Sequence, residues 1–225
     1  LKVSVVLVAA GAGRRFGKPK QFQLLGGHPL LYWPLRTVER TSNVVEVVLV
    51  VAAERLAWAR RFVQRSKFKK VRAIVPGGRE RADSVRAGFA VVSPAVDVVL
   101  IHDAARALVS RDIVERVAIA ARRSGAALAA RPVADTVKEA VAKRGRPFVK
   151  GTVPRAGLWL AQTPQGFRRD VMLRIAPRLS STLTDDVQAA EKMGIPVEMV
   201  LGSAINFKVT VPEDFDLSRA LLGKV

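Results

Sequence analysis

The chain has 225 residues, 49% of them hydrophobic, with no cysteine and two histidines, His28 and His102. That length and apolar fraction suffice for one sizeable core, while the missing cysteine excludes disulfides, thiolate catalysis and zinc–cysteine sites, and two histidines argue against a multi-histidine metal centre. The 38 Lys and Arg against 19 Asp and Glu give a net charge of +19, which favours anionic partners, and the lack of a bilayer-length apolar run or a signal-peptide cleavage pattern predicts a soluble, cytoplasmic protein with no membrane partner.

The first element is a strand from Val3 to Val8, apolar without alternation as in a central parallel strand covered on both faces. It runs into Ala9-Ala10-Gly11-Ala12-Gly13, where side-chain bulk disappears, and then into Arg14, Arg15, Lys18 and Lys20. Small residues let backbone N–H groups approach phosphate oxygens and the cations supply charge, so the segment reads as a polyphosphate loop. It is neither a dinucleotide fingerprint, since Phe16 stands where the third glycine belongs, nor a Walker loop, since no Gly-Lys-Ser/Thr follows.

Further strands are predicted from Val44 to Val51, from Val71 to Val75 and from Val96 to Ile101, the second ending at Pro76-Gly77-Gly78. Helices are predicted from Glu54 to Arg65, from Arg81 to Val92, and from a Ser110 cap to Arg123 with Gly125 as the stop, while Pro34 is tolerable only in the first turn of a helix. Alternating strands and helices make this a Rossmann-like three-layer α/β/α fold with a mostly parallel sheet, in a single domain over residues 1–225. The basic run from Arg60 to Arg72 is read as a solvated helix face, and 6% aromatic content gives no stacking platform for single strands, so no nucleic-acid partner is expected. A basic nucleic-acid-binding protein is the alternative from another class.

Residues 134–157 break the alternation with two short strands around Arg144-Gly145-Arg146-Pro147. This reads as a protruding β-arm whose Val137, Val141, Phe148 and Val153 are too few for a core of their own and should pack on a partner. Before it, His102-Asp103-Ala104-Ala105-Arg106 stands at the carboxyl end of a strand, where open α/β sheets bind ligands. Asp103 is suited to hold Mg²⁺ against phosphate oxygens, or alternatively to cap a helix or pair with Arg106, and His102 is read as structural. Thr184, Asp185 and Asp186 read as a helix cap followed by two carboxylates favouring the helix dipole.

Taken with Pro19-Lys20-Gln21-Phe22, Gly77-Gly78, Arg81, Asp83-Ser84-Val85, Asp135-Thr136, Thr163-Pro164-Gln165 and Asn206-Phe207-Lys208-Val209-Thr210, these motifs make the chain resemble the 2-C-methyl-D-erythritol 4-phosphate cytidylyltransferase family over nearly its full length. The resemblance implies transfer of a cytidylyl group from CTP to a polyol phosphate, with Mg²⁺ and with release of pyrophosphate, in non-mevalonate isoprenoid precursor synthesis. A ribitol 5-phosphate cytidylyltransferase shares most of the motifs and is the alternative acceptor class. The resemblance further implies that Arg15, Lys20 and Lys208 are catalytic cations, that Ala9, Ala10, Gly11, Ala12, Gly13, Gly78, Arg79 and Ser84 bind the nucleotide, and that Arg106, Thr136, Arg155 and Thr163 meet the acceptor. It also implies a homodimer with interlocking arms, in which Arg155 serves either its own or the neighbouring site. Val8 and Ala107 depart from the family's pattern, where proline is frequent at both positions, and Ala107 leaves the acceptor loop less rigid.

Overall fold

A computed structural model describes residues 1–13 and 16–224. In chain order, β1 (Val3–Ala9) leads to the short hairpin of β2 (Leu24–Leu25) and β3 (His28–Pro29), followed by α1 (Tyr32–Arg40), β4 (Val44–Val51), α2 (Leu56–Arg65) and β5 (Val71–Pro76). The middle of the chain contributes α3 (Arg81–Phe89), β6 (Val98–Asp103), α4 (Arg111–Ser124) and β7 (Ala126–Pro132), and then β8 (Val137–Lys143) with β9 (Arg146–Val153). The last part is β10 (Trp159–Arg168), α5 (Arg169–Ile175), α6 (Val187–Glu191), β11 (Val197–Leu201) and α7 (Pro212–Leu221).

Seven strands form the main sheet in the order β11-β7-β10-β6-β1-β4-β5, and β10 alone runs antiparallel to its neighbours. Side chains alternate across it as strand geometry requires. Val5, Leu7, Leu49 and Leu100 face a core layer completed by residues of α1, α2 and α4, whereas Val6, Val48, Val50, Val99 and Ile101 face one completed by α3, α5 and α6. Burial on both faces explains why β1, β4 and β6 read as largely apolar runs, interrupted by Ser4, by Glu46 and by the terminal His102 and Asp103, and each leucine buried this way is worth about 1.5–3 kcal/mol of transfer free energy. A third cluster, around Leu25, Leu30, Leu108, Val209 and Phe215, fastens α7 and the β2–β3 hairpin beside the carboxyl end of the sheet. Ala107 belongs to it with 2% exposure, so packing restrains the loop that lacks proline.

Local signals account for most boundaries. Ser110 Oγ accepts from the Ile113 N–H at 3.3 Å and Gly125 ends α4 at φ 92°, while Pro34 lies in the first turn of α1. Three expectations shift. The strand placed at Val96 to Ile101 is Val98–Asp103, which brings His102 and Asp103 into the last positions of β6. The helix placed at Arg81 to Val92 ends at Phe89, and the first turn of the helix predicted from Glu54 is a 3-10 turn over Ala53–Arg55. The arm is present, but its turn is narrower than expected. Of the four expected turn residues only Arg144 and Gly145 take positive φ, 49° and 75°, and Arg146 and Pro147 already pair in β9. Phe148 and Val149 on this arm are 49% and 67% exposed, so the described residues leave much of their apolar surface open.

Candidate active site

The carboxyl ends of β1 and β6, the start of α3 and the segment before α7 enclose a cavity of about 370 Å³. It is lined by Ala9, Ala10, Gly11, Ala12, Gly13, Lys20, Gly78, Arg79, Ser84, Asp103 and Lys208, which brings eleven of the expected site residues together, along with Arg81 and Gln21. Arg15 lies outside the described residues, and the other expected residues, Arg106, Thr136, Arg155 and Thr163, are not in the lining.

Two devices shape the loop side. Gln21, 5% exposed, donates from its amide nitrogen to the carbonyls of Ala9 and Gly11, both at 2.8 Å, and so fixes the path of the chain as it leaves β1. Gly13 sits at φ 68°, where a Cβ would come within 2.0 Å of the Lys18 carbonyl, so only glycine fits the bend. On the far side a Cβ on Gly77 would meet the Ala10 Cβ at 2.4 Å and Ser84 Oγ at 2.7 Å, which means that the start of α3 closes directly on the loop.

The charged centre is Asp103. Its Oδ1 accepts from Arg81 Nε at 3.1 Å and its Oδ2 from Lys208 Nζ at 2.7 Å, so it pairs with these cations and not with Arg106. Burial alone would push this carboxyl up, but Arg81 and Lys208 beside it hold it well below the ordinary carboxylate range. Arg81 continues through Nη1 to Asp186 Oδ1 at 2.8 Å, and although burial opposes its charge, the two carboxylates raise it above the ordinary value. Burial pushes the Asp186 carboxyl up despite that contact, and among the described residues its Oδ2 has no hydrogen-bond partner.

The Thr184 to Asp186 segment therefore differs from its expected reading. Asp185 Oδ1 accepts from the Gln188 N–H at 3.1 Å and does the capping, whereas Asp186 turns away from α6 to hold Arg81. Gln165 arranges this by accepting from the N–H groups of Asp186 and Val187 and donating to Asp185. Arg81 and Gln21 thus line the cavity and Gln165 supports it from behind, none of them with a role assigned from sequence. A signal existed for Arg81: it is the first residue of α3, where a cation opposes the helix dipole unless carboxylates hold it.

The acceptor-side residues are placed in two groups. Arg106 donates to the carbonyls of Asn206 at 2.7 Å and Ala161 at 3.3 Å, tying the loop after β6 to the segment that carries Lys208. Thr163 is buried, with Oγ 3.1 Å from the Asp103 N–H and 3.0 Å from His102 Nδ1. His102 Nε2 lies 3.3 Å from the Arg106 carbonyl, and burial pushes the ring's pKa down to about 4. Thr136 and Arg155 are exposed at the root of the arm, where Arg155 Nη1 donates to the Ala134 carbonyl.

Residues 3–224 match the family described as 2-C-methyl-D-erythritol 4-phosphate cytidylyltransferase. The chain is 41% identical over 229 residues to the protein of that name from Syntrophus aciditrophicus, covering 99% of this chain and 97% of the other. With the one from Pelotomaculum thermopropionicum it shares 43% identity over 228 residues, covering 98% and 94%. Its fold is similar to the crystal structure of the cytidylyltransferase of that name from Thermus thermophilus, with a TM-score of 0.78, 34% identity and full coverage of both chains.

Proposed function

The chain belongs to the 2-C-methyl-D-erythritol 4-phosphate cytidylyltransferase family, and from that premise we propose how its cavity carries out the transfer. The reaction is the conversion of CTP and 2-C-methyl-D-erythritol 4-phosphate into 4-diphosphocytidyl-2-C-methyl-D-erythritol and pyrophosphate. An oxygen of the acceptor phosphate attacks the α-phosphorus of CTP, the new P–O bond forms as the bond to the β-phosphate breaks, and pyrophosphate leaves with the electron pair. No enzyme nucleophile takes part, so the protein's task is alignment and charge stabilisation.

The observation that carries this reading is the convergence of Lys20 and Lys208 on the same small cavity as the glycine-rich loop, with Asp103 holding Lys208 at 2.7 Å. The loop from Ala9 to Gly13 receives the triphosphate, and Gly78, Arg79 and Ser84 border the cytosine. Lys20 and Lys208, together with Arg15, offset charge that builds on the α-phosphoryl oxygens and the leaving pyrophosphate.

Asp103 is the buried carboxylate of the lining. Each of its oxygens accepts one bond from a cation and keeps a second lone pair. Among the described residues no group of three or more His, Asp or Glu comes together. These donors fit a Mg²⁺ that arrives on the triphosphate, with phosphate oxygens and water as most of its ligands and Asp103 as the protein's contribution, and not an ion caged by the protein. When bound, the ion adds positive charge against the triphosphate oxygens.

The exposure of Thr136 and Arg155 at the arm's root, together with the open apolar surface of Phe148 and Val149, supports a homodimer in which the arm seats on a second copy and presents Thr136 and Arg155 to its acceptor phosphate. The test is to offer CTP, ATP, GTP and UTP with Mg²⁺ and either 2-C-methyl-D-erythritol 4-phosphate or ribitol 5-phosphate and to follow pyrophosphate release. Preference for CTP with the methylerythritol acceptor and silence in chelator are expected. Equal turnover of purine triphosphates overturns the cytosine site, and full activity in chelator overturns the metal.

A further inference from the structure

The buried contacts of His102 admit one arrangement of protons. The Arg106 carbonyl, 3.3 Å from Nε2, can only accept, so Nε2 carries the ring proton. Thr163 Oγ already faces the Asp103 N–H at 3.1 Å, so a second donor at Nδ1 would leave the hydroxyl hydrogen with no acceptor among these contacts, and the ring is neutral. Nδ1 is then a bare acceptor, and the Thr163 hydroxyl 3.0 Å away donates to it. That commits the single hydroxyl hydrogen, so Thr163 Oγ receives the backbone N–H of Asp103 at 3.1 Å. Each bond fixes the direction of the next, from the Arg106 carbonyl through ring and hydroxyl to the Asp103 amide.

We infer that His102 is a positioning residue for the transfer: as the Nε2–H tautomer it bridges the Arg106 carbonyl and Thr163, and so sets the backbone from which the Asp103 carboxylate aligns Lys208 and Arg81. His102 is not among the residues lining the cavity, so it acts only through Thr163, Asp103 and Arg106. The inference rests on Lys208 acting at the reacting phosphates, as proposed above. It also gives the sequence His102-Asp103-Ala104-Ala105-Arg106 an internal logic, since the first residue of the motif holds the carbonyl of the last.

The experiment combines nitrogen NMR of the full chain, labelled with ¹⁵N at histidine, with kinetics of variants. The chain has two histidines, so a His28→Gln sample assigns both rings. At neutral pH the buried ring should show a protonated Nε2 and a bare Nδ1, and Thr163→Val should shift Nδ1 while leaving Nε2 protonated. His102→Leu should lower kcat by about 10- to 100-fold with the Kd for CTP changed less than about threefold, because a small misplacement remote from the chemistry is costly in the transition state. His102→Asn, whose Oδ1 can replace Nδ1 as acceptor for Thr163, should recover most of that loss.

An Nδ1–H tautomer or a doubly protonated ring at neutral pH overturns the inference, as does a His102→Leu enzyme with unchanged kcat. If His102→Leu does not fold, the tautomer and the Thr163→Val shift decide the matter. Lys208→Ala is assayed in parallel. An intact kcat there defeats the reading of the site itself, whereas a damaged Lys208→Ala beside an intact His102→Leu defeats only the positioning role.

Discussion

Replacing Lys208 with alanine removes a cation whose place is set from three sides. Its Nζ is 2.7 Å from Asp103 Oδ2, the carbonyl of Asn206 two residues earlier is held by Arg106, and the following Val209 N–H donates to the Ala105 carbonyl at 2.9 Å. A cation held this firmly needs little reorganisation as charge develops, and loss of one such group costs about 2.7–4 kcal/mol, a factor of about 10²–10³ in kcat. The ground state should be affected far less. Arg81 still neutralises Asp103, Gln21 still holds the loop, and Lys20 still lines the cavity, so the Kd for CTP should rise by less than about tenfold. The assay is pyrophosphate release at saturating substrates, with CTP binding followed by calorimetry. Lys18→Ala is the control, since Lys18 is exposed and outside the cavity lining yet removes the same unit of net charge. If Lys18→Ala is as damaging as Lys208→Ala, or if the loss in Lys208→Ala appears in CTP binding instead of kcat, the catalytic role of Lys208 is refuted.

The His102 ring, free at 6.5 but held to about 4 in the fold, gives a pH signature: between those values the unfolded chain binds a proton that the native chain refuses, so stability falls as pH drops through that window, by on the order of 3 kcal/mol. Urea melts of His102→Asn should lack this slope, and an unchanged slope refutes the assignment. Asp103, with its pKa held below the ordinary carboxylate range, retains its share of stability through that window and loses it only at more acid pH. Phe148→Asp at the arm should shift the chain toward monomer in analytical ultracentrifugation and lower activity with it. A fully active monomer, or an undiminished dimer, would contradict the arm's role.

The elements most legible in the sequence are those whose partners are close in the chain or whose burial is total. The runs that became β1 and β4, and the Ser110 and Gly125 ends of α4, needed no tertiary knowledge. Strand β10 did not announce itself. Pro164 argues against a strand, and the polar group Gln162, Thr163 and Gln165 gives no apolar period. Those side chains are buried because their partners, Ser203, Asp103 and Asp185, come from other parts of the chain, and no local pattern encodes such pairing. The glycine-rich loop, Lys20 and Lys208 were legible as chemistry through motifs. The Arg81 bridge between Asp103 and Asp186 was not, since it joins positions 105 residues apart.

The single reversed strand has a consequence for how such a chain can acquire an arm. Successive parallel strands must be joined by a crossover, whereas antiparallel neighbours can be joined by a hairpin of any length. Among the described residues, β7 followed by β10 is the one place where successive strands of the main sheet are neighbours and run opposite ways, with Pro132 facing Trp159 at their junction. A hairpin inserted there can lengthen or shorten without rethreading any other strand. Because β7 points the same way as β6, the insertion must also emerge at the edge where Asp103 lies. Topology by itself thus places an appendage inserted after β7 over the end of the sheet that carries Asp103, and leaves its length free.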